Sequence, residues 1–253
     1  MSQVKDCLIV AAGKGTRLKG RGDLKPLVDL CGAPLIEHAM LAAANAGVRN
    51  FVVVTGYRAD ILAGFLKRLG ERRNWNIETV YNPDFEKENG LSVVLGKNYL
   101  RDEFFLTMCD HVVETRLYEK LLEAKLPKDA VALGVDMRLS NPDVDIDDVT
   151  KVQMSGGKIH EIGKNLTTYN AFDTGVFRAN PTLFSAIRQS QASIGDCSIS
   201  GGMRLLAQNG QAFAIDVGTS RWIDVDSPQM LCKAQKWFDR RAPRTHAKNI
   251  SPM

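Results

Sequence analysis

Three stretches of this 253-residue chain run almost without polar interruption: residues 7–12, 51–55 and 130–135. A strand wet on one face alternates apolar and polar side chains. A strand that is apolar throughout is covered on both faces, as in parallel sheets sandwiched between helices. Between these runs lie helix-forming segments. Residues 34–46 open on Pro34 and stop at Gly47, and residues 61–69 form a second helix. Further strands are expected at 77–81 and 104–110, and further helices at 91–100 and 117–124. Strands alternating with helices predict an α/β fold, a single doubly wound and mostly parallel, mixed sheet of Rossmann type. The second half is less regular. A hairpin is expected over 151–160, turning at Gly156-Gly157, with strands at 174–177 and 212–217. Helices are expected at 181–190, 202–208 and 228–238.

The chain is long enough to bury a core without staples. Its five cysteines are scattered, with no Cys-x-x-Cys, so neither a disulfide framework nor a zinc site is expected. No run approaches the ~20 apolar residues of a bilayer span, and the start at Met1-Ser2-Gln3-Val4-Lys5-Asp6 lacks the pattern of a secretory leader. A cytoplasmic location is expected. The formal charge is +4, but from Lys233 onward the basic residues Lys233, Lys236, Arg240, Arg241, Arg244 and Lys248 face Asp239 alone. The body is therefore close to neutral and is not a nucleic-acid surface. The expected division is a domain over 1–240 and a basic, loose tail over 241–253.

Four features carry chemistry. Ala11-Ala-Gly-Lys-Gly-Thr-Arg17 follows the first strand, and successive N–H groups in such a turn can cradle phosphate oxygens. It is neither a P-loop nor the dinucleotide fingerprint, since Leu18 stands where the third glycine would be. Lys25-Pro26 follows, and a lysine there can neutralise phosphate as a point charge. Asp110 closes the 104–110 strand, at the end of the sheet where ligands bind. Magnesium takes one or two carboxylates plus phosphate oxygens, which Asp110 suits. Asp224-Val-Asp226 supplies two more carboxylates that strand alternation would put on one face. The competing reading is that this segment caps the helix at Pro228, through Ser227 or an aspartate.

The order of these features resembles that of the nucleotidyltransferases that make sugar nucleotides and related CDP-alcohols. The resemblance runs from about Val4 to Phe238. One departure is Leu24, where the family usually has proline before the lysine. Within the family, Glu88-Asn-Gly-Leu-Ser92, Met108-Cys-Asp-His111, Asp173-Thr-Gly-Val-Phe177 and Arg221-Trp-Ile-Asp-Val-Asp-Ser-Pro228 resemble the inositol-1-phosphate cytidylyltransferase branch.

That resemblance implies transfer of CMP from CTP to a phosphorylated polyol, with Mg2+ as cofactor and pyrophosphate released. It implies Arg17 and Lys25 as catalytic cations. Ala11, Ala12, Gly13, Lys14, Gly15, Thr16, Asn89, Gly90 and Ser92 would hold the nucleotide. Asp110 and Asp226 would hold metal, with Asp224 in reserve, and Asp136, Glu161, Lys164 and Asp173 would hold the acceptor. Some members of the branch are fused to a membrane-embedded synthase, and the basic tail would suit an anionic membrane face. A homodimer stays open. Rival readings are a phosphocholine cytidylyltransferase, a sugar-1-phosphate nucleotidyltransferase, and a nucleotide-sensing module without catalysis.

Overall fold

A computed structural model of the chain describes residues 4–18, 20 and 24–239. The basic residues from Arg240 on, with the expected tail over 241–253, lie outside the described residues. In chain order the elements are β1 (Asp6–Ala11), β2 (Asp29–Leu30), β3 (Ala33–Pro34), α1 (Leu35–Asn45), β4 (Asn50–Thr55), α2 (Ala59–Arg73), β5 (Asn76–Tyr81) and α3 (Asn89–Leu95). They continue with β6 (Phe104–Met108), β7 (His111–Val113), α4 (Thr115–Glu123), β8 (Val131–Asp136), β9 (Lys151–Ser155), β10 (Lys158–Gly163) and β11 (Ala171–Ala179). The last are α5 (Pro181–Ile194), α6 (Ile199–Gln208), β12 (Ala212–Asp216), β13 (Trp222–Asp224) and α7 (Pro228–Asp239). Short 3-10 turns at Thr16–Leu18 and Lys25–Leu27 fall within the loop after β1.

One mixed sheet has the order β5-β4-β1-β6-β11-β8-β12-β10-β9. The block β5-β4-β1-β6 is parallel throughout. Two of the three apolar runs, β1 and β4, fall in this block; the third forms β8, which pairs parallel with β12 and antiparallel with β11. Residues 7–9 of β1 and 51–54 of β4 are buried, with separate apolar clusters above and below the sheet. Beyond β6 the pattern changes: β11 enters antiparallel to both β6 and β8, and the hairpin β9-β10 closes that edge. The hairpin turns at Gly156-Gly157, as expected. No helix among the described residues is long and apolar enough to cross a membrane.

A small second sheet matters more for chemistry. β13 pairs antiparallel with β7, with Asp224 opposite His111, and Val225 N–H donates to the Asp110 carbonyl over 3.0 Å. Two segments more than a hundred residues apart are thereby tied together backbone to backbone.

Candidate functional site

The Gly-rich turn after β1 places Ala11, Ala12, Gly13 and Gly15 along one wall of a cleft, with Lys25, Pro26, Phe85, Asn89, Ser92 and Asp110 on the others. Gly15 has φ +57, and a Cβ there would fall 2.3 Å from Lys25 Cβ. The glycine is thus required twice, for the left-handed backbone and for the close passage of the lysine stem. That passage sends the Lys25 ammonium onto Asp110, with which it pairs. A second hollow continues from the first and shares Lys25, Asn89, Met108 and Asp110 with it. It is lined further by Arg17, Asp145, Asp148, Lys164, Asp173, Asp224 and Asp226.

Asp110 is not the end of its strand, as expected, but lies in the tight turn between β6 and β7. His111 Nδ1 reaches Asp110 Oδ1 at 2.9 Å and stands 3.9 Å from Asp224 Oδ1. The ring lies on the backbone of Gly175, which has φ +72 and where a Cβ would sit 2.2 Å from His111 Cδ2. Only glycine fits there. Burial alone would lower the His111 pKa, but Asp224 and Asp110 outweigh it and push it up to about 9. Burial would raise Asp110, yet Lys25 and His111 hold its carboxyl well below the usual range. For Lys25, burial works downward and is outweighed by Asp110 and Asp224, so the ammonium is held above its ordinary value.

Asp226 is 3% exposed. Its Oδ2 is 2.7 Å from Arg17 Nη2, and burial with the neighbouring Asp148 and Asp224 pushes its pKa up to about 7. Strand β13 stops at Asp224, so the pair is not set by strand alternation; Asp226 comes from the following turn. The cap on α7 is Ser227, whose Oγ accepts from Met230 N–H at 3.3 Å, and this leaves both aspartates to the cleft.

Two groups of side chains have ligand atoms close enough to share an ion: Asp110, His111 and Asp224, and Asp148, Asp224 and Asp226. Asp224 belongs to both. Asp224 Oδ1 and Asp226 Oδ1 are buried and accept no hydrogen bond. Buried carboxylate oxygens without donors suit a hard divalent cation.

Several expected residues lie elsewhere. Asp136 is fully buried at the end of β8, where its oxygens accept from Arg138, Asn141 and the Trp222 indole, so it anchors a core network and faces no acceptor. Glu161 sits on β10, half-buried, and lines neither hollow. Gly90 is buried because a Cβ would meet the Cys197 carbonyl at 2.2 Å; it packs helix against loop and lines neither hollow. Asn89 lines both, though its Oδ1 is taken by Ile199 N–H. Ser92 Oγ accepts from Asn82. Lys14 and Thr16 lie outside the lining, and Lys14 pairs with Glu86. Lys164 and Asp173 do line the second hollow, and burial pushes Asp173 up to about 6.

Asp148 is the residue that sequence reading missed. It accepts from Arg17 at 3.0 Å and Lys164 at 2.6 Å. The only sequence signal was an acid-rich stretch, Asp143-Val-Asp-Ile-Asp-Asp148, which reads equally as a solvated loop.

Comparison with known proteins bears directly on this cleft. Residues 7–210 match the MobA-like NTP transferase domain. A protein of Aquifex aeolicus (strain VF5) named bifunctional IPC transferase and DIPP synthase is 31% identical over 242 residues, covering 94% of this chain and 53% of that protein. One of the same name from Thermococcus kodakarensis is 33% identical over 238 residues, covering 93% of this chain and 51% of that one. The chain thus spans about half the length of the curated relatives it matches. Among solved structures, the inositol-1-phosphate CTP transferase from T. maritima superposes with a TM-score of 0.79 at 25% identity, over 93% of this chain and 98% of that one. A UDP-glucose pyrophosphorylase complexed with UDP-glucose shares the fold, with a TM-score of 0.73 at 17% identity over 94% of this chain and 99% of that one.

Proposed function

The chain belongs to the MobA-like NTP transferase family, and from that premise we propose that it transfers CMP from CTP to inositol 1-phosphate, giving CDP-inositol and pyrophosphate. One observation carries this reading: Lys25 and Asp110, paired with each other, line both hollows of a single cleft. A reaction that joins two phosphates needs a cation and a metal-binding carboxylate where they meet. The choice of cytosine and inositol rests on the relatives' names.

The acceptor phosphate needs no general base, because phosphate monoesters are largely dianionic at neutral pH. Its oxygen attacks the α-phosphorus of CTP in line, the bond from that phosphorus to the bridging oxygen breaks, and pyrophosphate leaves with the electron pair. Catalysis is then positioning and charge stabilisation. The Gly13–Gly15 backbone cradles the triphosphate and Lys25 stands at the α-phosphate. Arg17 offers a planar fork of donors to phosphate. Lys164 holds the acceptor phosphate and Asp173 accepts from polyol hydroxyls. Asp224 would hold Mg2+ together with either Asp110 or Asp226, since only Asp224 belongs to both acid groups and Asp110 and Asp226 share neither; the ion when bound would neutralise triphosphate charge and orient it. The expected Asp136 and Glu161 are left out, since their side chains lie away from the cleft.

The test is a pyrophosphate-release assay crossing four NTPs with inositol 1-phosphate, phosphocholine and glucose 1-phosphate, with and without Mg2+. Release that needs CTP, inositol 1-phosphate and metal is the expected result. Faster release with phosphocholine or a sugar phosphate would replace the acceptor, and none with any pair would leave a nucleotide-sensing module.

A further inference from the structure

Arg17 comes from the turn after β1 and Lys164 from the end of β10, and both reach the same carboxylate. Arg17 Nη2 donates to Asp148 Oδ2 at 3.0 Å and Lys164 Nζ to Asp148 Oδ1 at 2.6 Å. The two cations are 55% and 56% exposed. Arg17 also stands 2.7 Å from Oδ2 of the buried Asp226, but the pairs that both cations make with Asp148 are exposed on the cation side and add little to stability.

The loop that carries the carboxylate is well held. The N–H groups of Asp148 and Val149 donate to the Asp145 carbonyl at 3.2 and 2.9 Å, and Asp147 N–H donates to Asp145 Oδ1 at 3.2 Å. Val144 is buried, Val149 packs against the core, and Asp173 N–H donates to the Thr150 carbonyl at 2.9 Å. An anion on a held loop thus sits between two exposed cations. Both of its oxygens are engaged by those cations, whereas Asp224 Oδ1 and Asp226 Oδ1 accept no hydrogen bond. Asp148 lies within reach of an ion shared with Asp224 and Asp226, but it differs from them in having a cation on each oxygen.

We propose that Asp148 is a positioning residue, a shared counter-ion that sets Arg17 and Lys164 for the two phosphates to be joined; this rests on the function proposed above. Arginine carries five N–H donors and lysine three. Each can keep one on Asp148 and give the others to a phosphate. The same fixed charge opposes incoming phosphates. Asp148 therefore weakens binding of both substrates while aligning what binds.

This produces a signature that a scaffold residue does not. Asp148→Asn removes the charge and keeps the shape. The variant is expected to lower KM for CTP and for inositol 1-phosphate by about 3- to 10-fold, as removal of one nearby surface charge allows. It is expected to lower kcat by about 10-fold, because misplaced groups are costly in alignment. Asp148→Glu restores most of kcat. Calorimetric titration with inorganic pyrophosphate, without metal, reads the charge effect apart from turnover, and Asp148→Asn binds it several-fold more tightly than the wild type. Unchanged or raised KM values, a Glu variant no better than Asn, or unchanged pyrophosphate affinity with a higher metal requirement would each overturn the proposal. A wild-type protein inactive with every substrate pair overturns the functional reading instead, and the pyrophosphate titration still decides the role of Asp148.

Discussion

The two hollows of the cleft are built from different materials. The first has one wall of backbone and small residues, Ala11, Ala12, Gly13 and Gly15, contributed by the end of β1 and the turn after it. The second is walled by charged side chains from distant segments: Arg17, Asp148, Lys164, Asp173, Asp224 and Asp226. Carboxylates brought together in this way repel one another and favour their neutral forms. On this side burial raises Asp226, Asp224 and Asp173, and neighbouring carboxylates add to it, while against burial Lys25 and His111 hold Asp110 low, and the hydrogen bond with Asp226 followed by Lys164 and Arg17 holds Asp148 low. In the proposed reaction the first side would offer shape to a triphosphate, and the second would rearrange its charges when phosphate or metal arrives.

The largest expected effect lies where the two halves meet. Lys25→Ala should lower kcat for pyrophosphate release by about 10²–10³-fold, the usual scale for loss of one preorganised electrostatic contact. Near-normal turnover would separate the hollows into unrelated features. Next is the carboxylate shared by both acid groups. Asp224→Asn should raise the metal concentration for half-maximal rate by about tenfold or more, and by more than Asp226→Asn does. The reverse order would move the metal centre away from Asp224.

A pair of glycine substitutions sharpens the comparison. Gly15→Ala pushes on the Lys25 stem and Gly175→Ala on the His111 ring, and both positions have positive φ. Each should cost about 1–3 kcal/mol in denaturant unfolding. Their activity defects should differ: Gly15→Ala raises KM for nucleotide, whereas Gly175→Ala raises the metal requirement. Identical defects would show that the halves do not act separately.

The smallest effect is in pH dependence. Asp226 has a pKa raised to about 7 in the folded state, against roughly 3.9 unfolded. Its contribution to stability is then fully present below about pH 4 and is lost as pH rises through 7. Without metal, Asp226→Asn should therefore gain thermal stability relative to wild type at pH 8, by a few degrees, and show no such gain at pH 4. Equal differences at both pH values would mean that the crowding of the acid side is absent.

How much of this was legible in the sequence depends on distance along the chain. The apolar runs and the helices between them specify a sheet covered on both faces, because periodicity is a local property. The Gly-rich turn was readable for the same reason: Gly13, Gly15 and Lys25 lie within a dozen or so residues of one another. Asp136, Glu161 and Gly90 show the limit. Each is a chemically apt residue near the carboxyl end of a strand or the start of a helix. Whether it faces the cleft or the core depends on what packs over it: the Trp222 indole on Asp136, the Cys197 carbonyl on Gly90.

The sequence by itself determined the α/β architecture, the Gly-rich turn after the first strand and the inventory of acids and cations. Tertiary structure alone decided which acids meet. Asp224 reaches His111 because β13 pairs with β7, and Asp148 reaches Arg17 and Lys164 because a loop is pinned against β11. Local propensity is written in neighbouring residues. The meeting of like charges is imposed by packing elsewhere, and no single segment carries a record of it.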